Sequence, residues 1–313
     1  MELKGKEAET LYILGNGFDL YHGLESRYSD FYKWLKKKGR KDQRYNDFIK
    51  KMEKFFPLYT NQDMLWCNFE KALGEYKEWL IYNEYNSEYS AKNSYEREQK
   101  MIGDVRKTCE AIRPHLTKWA KNISIRRARK KLNLSKSSWF INFNYTRLLE
   151  DKYLIPDSQI CHFHGSIDDT IPVITGHNYW NNVAYDVFDE PTNPTHIAMR
   201  SVIGDFNKLA KQPDEQIKRH SDFFMRVSER SLSHIVVIGH SLEEVDKDNF
   251  EKIRGNISAL NAEWHFNIYQ PIDRFKVYNF IDNAKLDIKR GVDIYLPIEK
   301  ETWMEKVLNR ITN

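Results

Sequence analysis

The segment Thr10-Leu11-Tyr12-Ile13-Leu14-Gly15-Asn16-Gly17-Phe18-Asp19-Leu20 decides the fold class of this chain. A short apolar run ends in Gly-x-Gly and residues of helical character follow, which is the order of a strand, a tight turn and a helix start. Such a turn allows a phosphate to approach N–H groups at a helix N-terminus. The full dinucleotide fingerprint needs a third glycine where this chain has Leu20. A turn that simply requires two glycines explains the motif equally well.

The composition is that of a globular protein with a polar surface: 30% of the 313 residues are charged and 41% are hydrophobic. No apolar run approaches the ~18 residues of a membrane span. We therefore expect no signal peptide, no transmembrane helix, no membrane partner and a cytoplasmic location. The three cysteines form no C-x-x-C pair, so we expect neither a disulfide framework nor a zinc ribbon.

Positive charge is concentrated in one part of the chain, although the formal net charge is only +4. No Asp or Glu occurs between Ala111 and Leu149, whereas ten Lys and Arg residues fall there. The stretch Arg113–Lys136 could bind the phosphates of a nucleic acid or of a nucleotide. A solvated helix face is the alternative explanation of such a run.

Two patterns alternate along the chain. From about Tyr28 to Leu132, apolar residues recur at helical spacing and predict a helical block. After it, short apolar segments alternate with helical ones and predict a parallel sheet. The later strands are predicted at Ser137–Phe143, Ile160–Phe163, Ile171–Thr175, His234–Gly239, Trp264–Tyr269 and Val292–Leu296, and the helices at Thr146–Tyr153, Ile203–Ser231, Val245–Ile257 and Glu299–Ile311.

This order indicates an α/β fold: a Rossmann-like, mostly parallel sheet with helices on both faces and a large helical insertion. The first strand joins the later ones in one sheet, so residues 1–27 and 133–313 form the nucleotide-binding α/β domain. Residues 28–132 form the insertion, which we expect to cap the carboxyl ends of the strands. Whether the insertion is a lid, a sensor or an oligomerisation surface stays open, as does assembly into a homo-oligomer.

Glycines and polar residues follow every predicted strand, and in a doubly wound sheet these junctions meet at one crevice. Repeated His and Asn are not needed merely to turn a chain, so we interpret the junctions as one site. The candidate residues are Gly15, Asn16, Gly17, Phe18, Asp19 and His22, then Asn144, Tyr145 and Thr146, then His164, Gly165 and Ser166, then Gly176, His177 and Asn178, and finally Gly239, His240, Ser241 and Asp246.

Two other interpretations fit the residues less well. Gly239-His240-Ser241-Leu242-Glu243 has Glu where the nucleophile elbow of serine hydrolases needs its last glycine. Cys161, His162 and His164 could ligate a metal, but neighbouring strand residues point to opposite faces and no second cluster completes a site. We expect no metal. His162 is interpreted as a structural residue, and His164, at the strand exit, as the catalytic candidate.

These residues resemble the AbiH abortive-infection family, which is associated with bacterial defence against phage. The resemblance implies an antiviral effector and covers most of the chain in order. It rests on Gly15-Asn16-Gly17-Phe18-Asp19-Leu20, His22-Gly23-Leu24, Tyr28-Ser29-Asp30-Phe31, Phe143-Asn144-Tyr145-Thr146, His162-Phe163-His164-Gly165 and Gly239-His240-Ser241-Leu242 with Asp246.

More distantly, the chain is similar to the sirtuin-like NAD-consuming domains of other defence proteins. Those domains share the glycine loop, an Asn-Tyr-Asp landmark before a Leu-Leu-Glu helix, a His-Gly pair and a Gly-x-Ser strand end. Here Thr146 stands where Asp is usual in the second landmark. The zinc module of deacylating sirtuins has no counterpart in the sequence, so the resemblance does not imply protein deacylation.

The resemblance implies NAD as the substrate and a hydrolase that cleaves its N-glycosidic bond. Asn144 would hold the nicotinamide ribose or a water, and His164 would accept a proton from the ribose or the attacking water. The turn Gly15–Gly17 would hold the pyrophosphate, and Ser241 with Asp246 would contact the adenosine ribose. The departures from the family pattern leave another nucleotide open. A non-catalytic nucleotide sensor or nucleic-acid-binding protein is the alternative.

Overall fold

The computed structural model describes residues 9–56, 62–75, 94–170, 172–177, 194–259, 261–268, 270 and 272–295. The chain divides into two compact units. The α/β unit comprises Met1–Ser26, Asn122–Ile171 and Pro213–Asn313. The helical unit comprises Arg27–Lys121 and Pro172–Gln212.

Six parallel strands of the described residues form the sheet of the α/β unit, in the order β3-β2-β1-β4-β5-β6. They are β1 (Glu9–Leu14), β2 (Trp139–Asn142), β3 (Ile160–His162), β4 (Leu232–Ile238), β5 (Glu263–Asn267) and β6 (Val292–Tyr295). This arrangement confirms the predicted α/β class. The strand order reverses between β1 and β4, which is the switch point where open α/β sheets bind their ligands.

The central strands are apolar without alternation because both faces of the sheet are covered. Leu11 and Ile13 of β1 belong to the core on one face, together with Ile235 and Trp264. Tyr12 and Leu14 belong to the core on the other face, with Phe140, Val236 and Ile238. All residues from Leu11 to Leu14 are fully buried. A continuous apolar run is therefore what this central strand requires.

Helices of eight or more residues that lie wholly in the described part of the chain are α2 (Tyr28–Gly39), α3 (Gln43–Phe55), α5 (Ser94–Ala120), α6 (Pro194–Asn207), α8 (Ser221–Ser228), α9 (Lys247–Gly255) and α10 (Asp273–Asn283). Shorter ones are α1 (Asn16–Tyr21), α4 (Gln62–Cys67) and α7 (Pro213–Arg219), with a π-helical turn at Leu149–Tyr153 and 3-10 turns at Asp157–Gln159 and Glu244–Asp246. None of the helices in the described part of the chain is both long and apolar enough to cross a membrane.

Two predictions of secondary structure need correction. The predicted strand Ile171–Thr175 is wrong, since the described residues 172–175 are irregular. Their polar groups bond to helices instead: the N–H of Val173 donates to Thr117 Oγ1 at 3.1 Å, and Thr175 Oγ1 donates to Glu70 Oε1 at 3.1 Å. The predicted helix Ile203–Ser231 is divided into three helices, and Pro213 begins the second.

The units also differ in extent from the predicted domains. Residues 122–132, predicted as part of the insertion, belong to the α/β unit, and Pro172–Gln212 belongs to the helical unit rather than to the α/β domain. The bonds of residues 173–175 to helical residues explain the second difference. The predicted helix Glu299–Ile311 lies outside the described residues.

Aromatic side chains form much of the interior of the helical unit. Trp66 is fully buried and stacks on Tyr32 and Phe69, with ring centroids 5.0 and 5.4 Å away. An ion pair between a buried lysine and a partly buried glutamate accompanies them: Lys211 Nζ lies 3.0 Å from Glu70 Oε2. The described residues between 28 and 120 are mainly helical, which confirms the prediction for this part of the chain.

Candidate functional site

The β1–α1 turn and the end of β4 pack against each other at the switch point. The N–H of Gly15 donates to the last carbonyl of β4 at 2.9 Å, and the N–H of Gly17 donates to Gly239 O at 2.7 Å. A Cβ on Gly15 would lie 2.5 Å from His240 Cα. Gly239 has a φ of +65°, and a Cβ there would lie 2.3 Å from the nitrogen of Phe18. Both turns therefore need glycine because their backbones are in contact.

The contacts of this turn favour the packing interpretation of the glycines. Three N–H groups, those of Gly15, Gly17 and Phe18, donate to backbone carbonyls. The exposed Asn16 accepts a hydrogen bond from Ser26 Oγ at 2.6 Å. Pyrophosphate binding at Gly15–Gly17 stays a prediction. A bound pyrophosphate would have to replace these backbone carbonyls as the hydrogen-bond acceptor of the N–H groups.

Five buried polar side chains follow the carboxyl ends of β2, β3 and β4. We call them the carboxyl-edge cluster, and they are Asn144, His164, His240, Asp246 and Asn249, none of them more than 8% exposed. The ring of Phe143 contacts two of them edge to face, with centroids 4.8 Å from His164 and 4.9 Å from His240. The site therefore combines two imidazoles, two amides and one carboxylate around an aromatic ring.

Asp246 lies beside His240 and is linked to His164 through the amide group of Asn249. Asn249 Nδ2 donates to Asp246 Oδ1 at 3.1 Å and lies 3.5 Å from His164 Nε2. An amide nitrogen only donates, so His164 Nε2 is the acceptor and the neutral ring carries its proton on Nδ1. His240 has the opposite tautomer, because the N–H of Leu242 donates to Nδ1 at 3.1 Å. Its Nε2 lies 3.7 Å from Asp246 Oδ2.

Asn144 is held by the backbone of the switch point. Its Nδ2 donates to Gly15 O and to Asn142 Oδ1, both at 3.0 Å, and its N–H donates to the same Asn142 oxygen. The two protons of the amide are thereby used. A ribose hydroxyl or a water would have to bond to the amide oxygen of Asn144.

A second buried group contains two carboxyl groups. Thr146 Oγ1 donates to Asp19 Oδ2 at 2.8 Å, and His162 Nε2 lies 2.7 Å from Glu150 Oε1. Burial raises the pKa of Asp19 to about 7, and the hydrogen bond from Thr146 opposes this shift. Burial lowers the pKa of His162, but the hydrogen bond and charge of Glu150 outweigh burial and raise it. Thr146 thus donates a hydrogen bond to a neighbouring carboxyl group.

The contacts of His162 fit its interpretation as a structural residue. Both ring nitrogens have partners, since Nδ1 lies 3.2 Å from Asn144 O and Nε2 pairs with Glu150. Cys161, the other residue considered as a metal ligand, is buried, and burial raises the pKa of its thiol well above the usual value. These contacts favour the structural interpretation of both residues.

Several other predicted site residues lie outside the carboxyl-edge cluster, and Asn178 lies outside the described residues. His22 is in the core, with Nδ1 2.7 Å from Phe18 O and Nε2 2.6 Å from the hydroxyl of Tyr153. Gly165 forms a turn with a φ of +83°. Ser241 is exposed. His177 belongs to the helical unit, where its Nε2 lies 3.1 Å from a backbone carbonyl of α6.

The sequence analysis missed Asn249. It lies in the first turn of α9, three residues after Asp246, and positions three apart on a helix face each other. The pattern Asp-x-x-Asn after the Gly-His-Ser strand end therefore indicates, from the sequence alone, that Asp246 and Asn249 are neighbours. The contact of Asn249 with His164 could not be predicted from the sequence, because the two residues are 85 positions apart.

A family model described as bacteriophage abortive infection AbiH matches residues 11–268. The match extends from β1 to the end of β5 and includes the whole carboxyl-edge cluster. No curated protein and no solved structure matches the chain.

Proposed function

Since this chain belongs to the AbiH family of bacteriophage abortive-infection proteins, its role is in abortive infection, and we propose that its α/β unit hydrolyses a nucleotide. The substrate we propose is NAD or a related nucleotide, and the bond cleaved is the N-glycosidic bond. The observation that carries the proposal is the carboxyl-edge cluster, with its acceptor nitrogen on His164, beside the switch point of the sheet. Ligands of open α/β sheets bind at this place.

The cluster has the groups that this hydrolysis requires. Departure of nicotinamide leaves an oxocarbenium-like ribose, and a water then attacks its C1 carbon. His164 Nε2 would accept the proton of that water, replacing the long 3.5 Å contact with Asn249. The amide oxygen of Asn144 would orient the water or a ribose hydroxyl. A general base contributes about 10²–10⁴-fold to such a rate.

The test is nicotinamide release from NAD by the purified protein and its variants. We expect His164→Ala to lose at least about 100-fold of the wild-type rate, because it removes the general base. His115→Ala is the matched control, since this histidine lies on α5, where its ring stacks on Phe48 with centroids 4.5 Å apart. Absence of release by the wild type, or an equal rate in His164→Ala, would contradict the proposal. Total NAD in expressing cells provides a second measurement.

One observation favours the alternative function, nucleic-acid binding without catalysis. Residues 121–136 form no helix, and Arg126, Arg127, Arg129, Lys130 and Lys136 are exposed there. The solvated helix face offered as the simpler explanation of this charge therefore does not apply to these residues.

Salt dependence of binding distinguishes the two functions. If the exposed arginines contact phosphates, replacing Arg126, Arg127 and Arg129 with Gln lowers the affinity for duplex DNA or RNA and reduces the salt slope by about 3. Asn144→Ala would bind as the wild type does. A salt-independent affinity, or one that the triple variant retains, rejects this alternative.

A further inference from the structure

Two histidines and two acidic residues meet on three adjacent strands of the α/β unit. His234 is the third residue of β4, Glu263 and His265 are the first and third residues of β5, and Asp293 is the second residue of β6. His234 pairs in register with Glu263, and His265 with Asp293. Side chains in register on neighbouring strands share a face, and residues two apart on a strand do too. All four therefore lie on one face, near the amino ends of the strands.

We propose that His234, Glu263 and His265 form a binding site for a divalent transition metal ion of the zinc class. One ligand atom from each lies within 4.8 Å of the others. His234 Nδ1 is 3.1 Å from His265 Nε2 and 3.9 Å from Glu263 Oε2. With Zn–N bonds of about 2.0–2.1 Å, two nitrogens of a tetrahedral site lie about 3.3 Å apart. The histidine pair thus has nearly the spacing that the metal requires.

The donor set selects the class of metal. Imidazole nitrogen suits zinc and its neighbours, whereas Mg²⁺ and Ca²⁺ prefer oxygen ligands. Two histidines and a glutamate occur together in zinc sites that leave a fourth position for water. The side chains of His234 and Glu263 are 19% and 47% exposed, which gives the ion a path from solvent. Without metal, the 3.1 Å contact needs a proton on one nitrogen, and the ion would displace that proton.

Asp293 acts as a positioning residue for this site. Its Oδ2 lies 3.5 Å from His265 Nδ1, the ring nitrogen that faces away from His234. A carboxylate at this place keeps the proton on Nδ1 and leaves the lone pair of Nε2 for the ion, as outer carboxylates of zinc sites do. Together with Glu263 it also balances the two positive charges of the ion.

The proposal reverses the expectation that this protein binds no metal. That expectation came from the spacing of His and Cys along the chain, where no ligand motif occurs. His234 and His265 are 31 residues apart and come together only because β4 and β5 are neighbours. The site lies near the amino ends of the strands, so it is independent of the proposed nucleotide hydrolysis at their carboxyl ends.

The test is zinc binding by the full chain after treatment with a chelator, measured by calorimetry and by metal analysis after dialysis. We expect one zinc ion per wild-type chain, and a rise in Tm with added Zn²⁺ because the ion binds the folded state. Glu263→Gln should lose most of this affinity, and the fold tolerates the substitution because this side chain is about half exposed. Asp293→Asn should bind about 10–100-fold more weakly. Co²⁺ should give the visible absorption of a tetrahedral site.

Two control variants separate this site from adventitious binding. Glu229→Gln removes an exposed acid elsewhere and should bind zinc as the wild type does. Cys67→Ser removes the exposed thiol, which could hold zinc by itself, and should retain one ion per chain. Less than one ion per wild-type chain, equal affinity in Glu263→Gln and Glu229→Gln, or loss of the ion in Cys67→Ser would overturn the proposal.

Discussion

Asp19 is buried to 1% exposure, and only one of its two oxygens has a hydrogen-bond partner among the described residues. Burial raises the pKa of this carboxyl group to about 7, against 3.8 in an unfolded chain. The charged form is disfavoured because the group is removed from water. The folded protein therefore binds a proton at Asp19 over a pH range in which the unfolded chain does not.

We predict that Asp19 makes the protein less stable as pH rises from about 4 to about 7. The folded state binds more protons in this window, so the free energy of unfolding falls with increasing pH. Asp19→Asn removes the ionisation and can keep the bond from Thr146. Between pH 5 and pH 8, the wild type should lose about 2–3 kcal/mol relative to Asp19→Asn in urea unfolding. Asp47→Asn, at an exposed position, is the control, and parallel pH profiles of wild type and Asp19→Asn would contradict the prediction.

Single residues of the site were predictable where they follow a strand. Asn144, His164 and His240 stand directly after apolar runs, and parallel strands place such positions at one edge. The partners of these residues were not predictable in the same way. Thr146 and Asp19 are 127 positions apart, and no local pattern connects them.

The π-helical turn Leu149–Tyr153 connects three segments of the α/β unit through one hydroxyl group. The hydroxyl oxygen of Tyr153 accepts from the N–H groups of Lys131 and Leu132 at 3.0 and 3.1 Å. It lies 2.6 Å from Nε2 of His22, the residue that directly follows α1. Since His22 Nδ1 donates to a carbonyl, its Nε2 accepts the hydroxyl proton. The hydroxyl group of Tyr153 thus accepts from the N–H groups of residues 131 and 132 and donates to His22, at the end of α1.

We predict that Tyr153→Phe destabilises the protein by about 2–4 kcal/mol, because two backbone N–H groups lose their acceptor. Tyr12→Phe is the matched control. The hydroxyl of Tyr12 on β1 is buried and has no hydrogen-bond partner among the described residues, so its removal should be neutral or stabilising. Denaturant unfolding of the two variants measures the difference. Equal losses would mean that the bonds of Tyr153 contribute nothing beyond its ring.

The strands of the sheet were predicted better than the apolar segment that lies outside it. The run that forms β4 is apolar because both of its faces are covered. Residues 171–175 have a similar apolar pattern, yet those described pack in the helical unit and bond to Thr117 and Glu70. Burial alone produces such a pattern, so the pattern cannot distinguish a strand from a buried irregular segment.

At the scale of the whole molecule, the three cysteines are free thiols. Cys67 is exposed, whereas Cys109 and Cys161 are buried. Burial raises the pKa of Cys109 to about 12 and that of Cys161 well above its usual value, so neither forms a thiolate at neutral pH. The three residues therefore differ in reactivity, and a native protein offers one thiol to a reagent.

We predict that a thiol reagent labels one cysteine per native chain at pH 8 and three in denaturant. Cys67→Ser should remove the fast reaction and leave the two slow ones. A reducing agent should not change Tm, because the fold contains no disulfide to reduce among these residues. Fast labelling of more than one thiol in the folded protein would show that Cys109 or Cys161 is reached by solvent.

The sequence by itself determined the α/β class, the helical character of the described residues between 28 and 120, and the family, because periodicity and short motifs are local properties of a chain. Only the tertiary structure decided which side chains meet. Asn249 reaches His164, Thr146 bonds to Asp19, and His234 faces His265 across neighbouring strands. These contacts depend on strand order and register, which bring together residues that no period in the sequence relates.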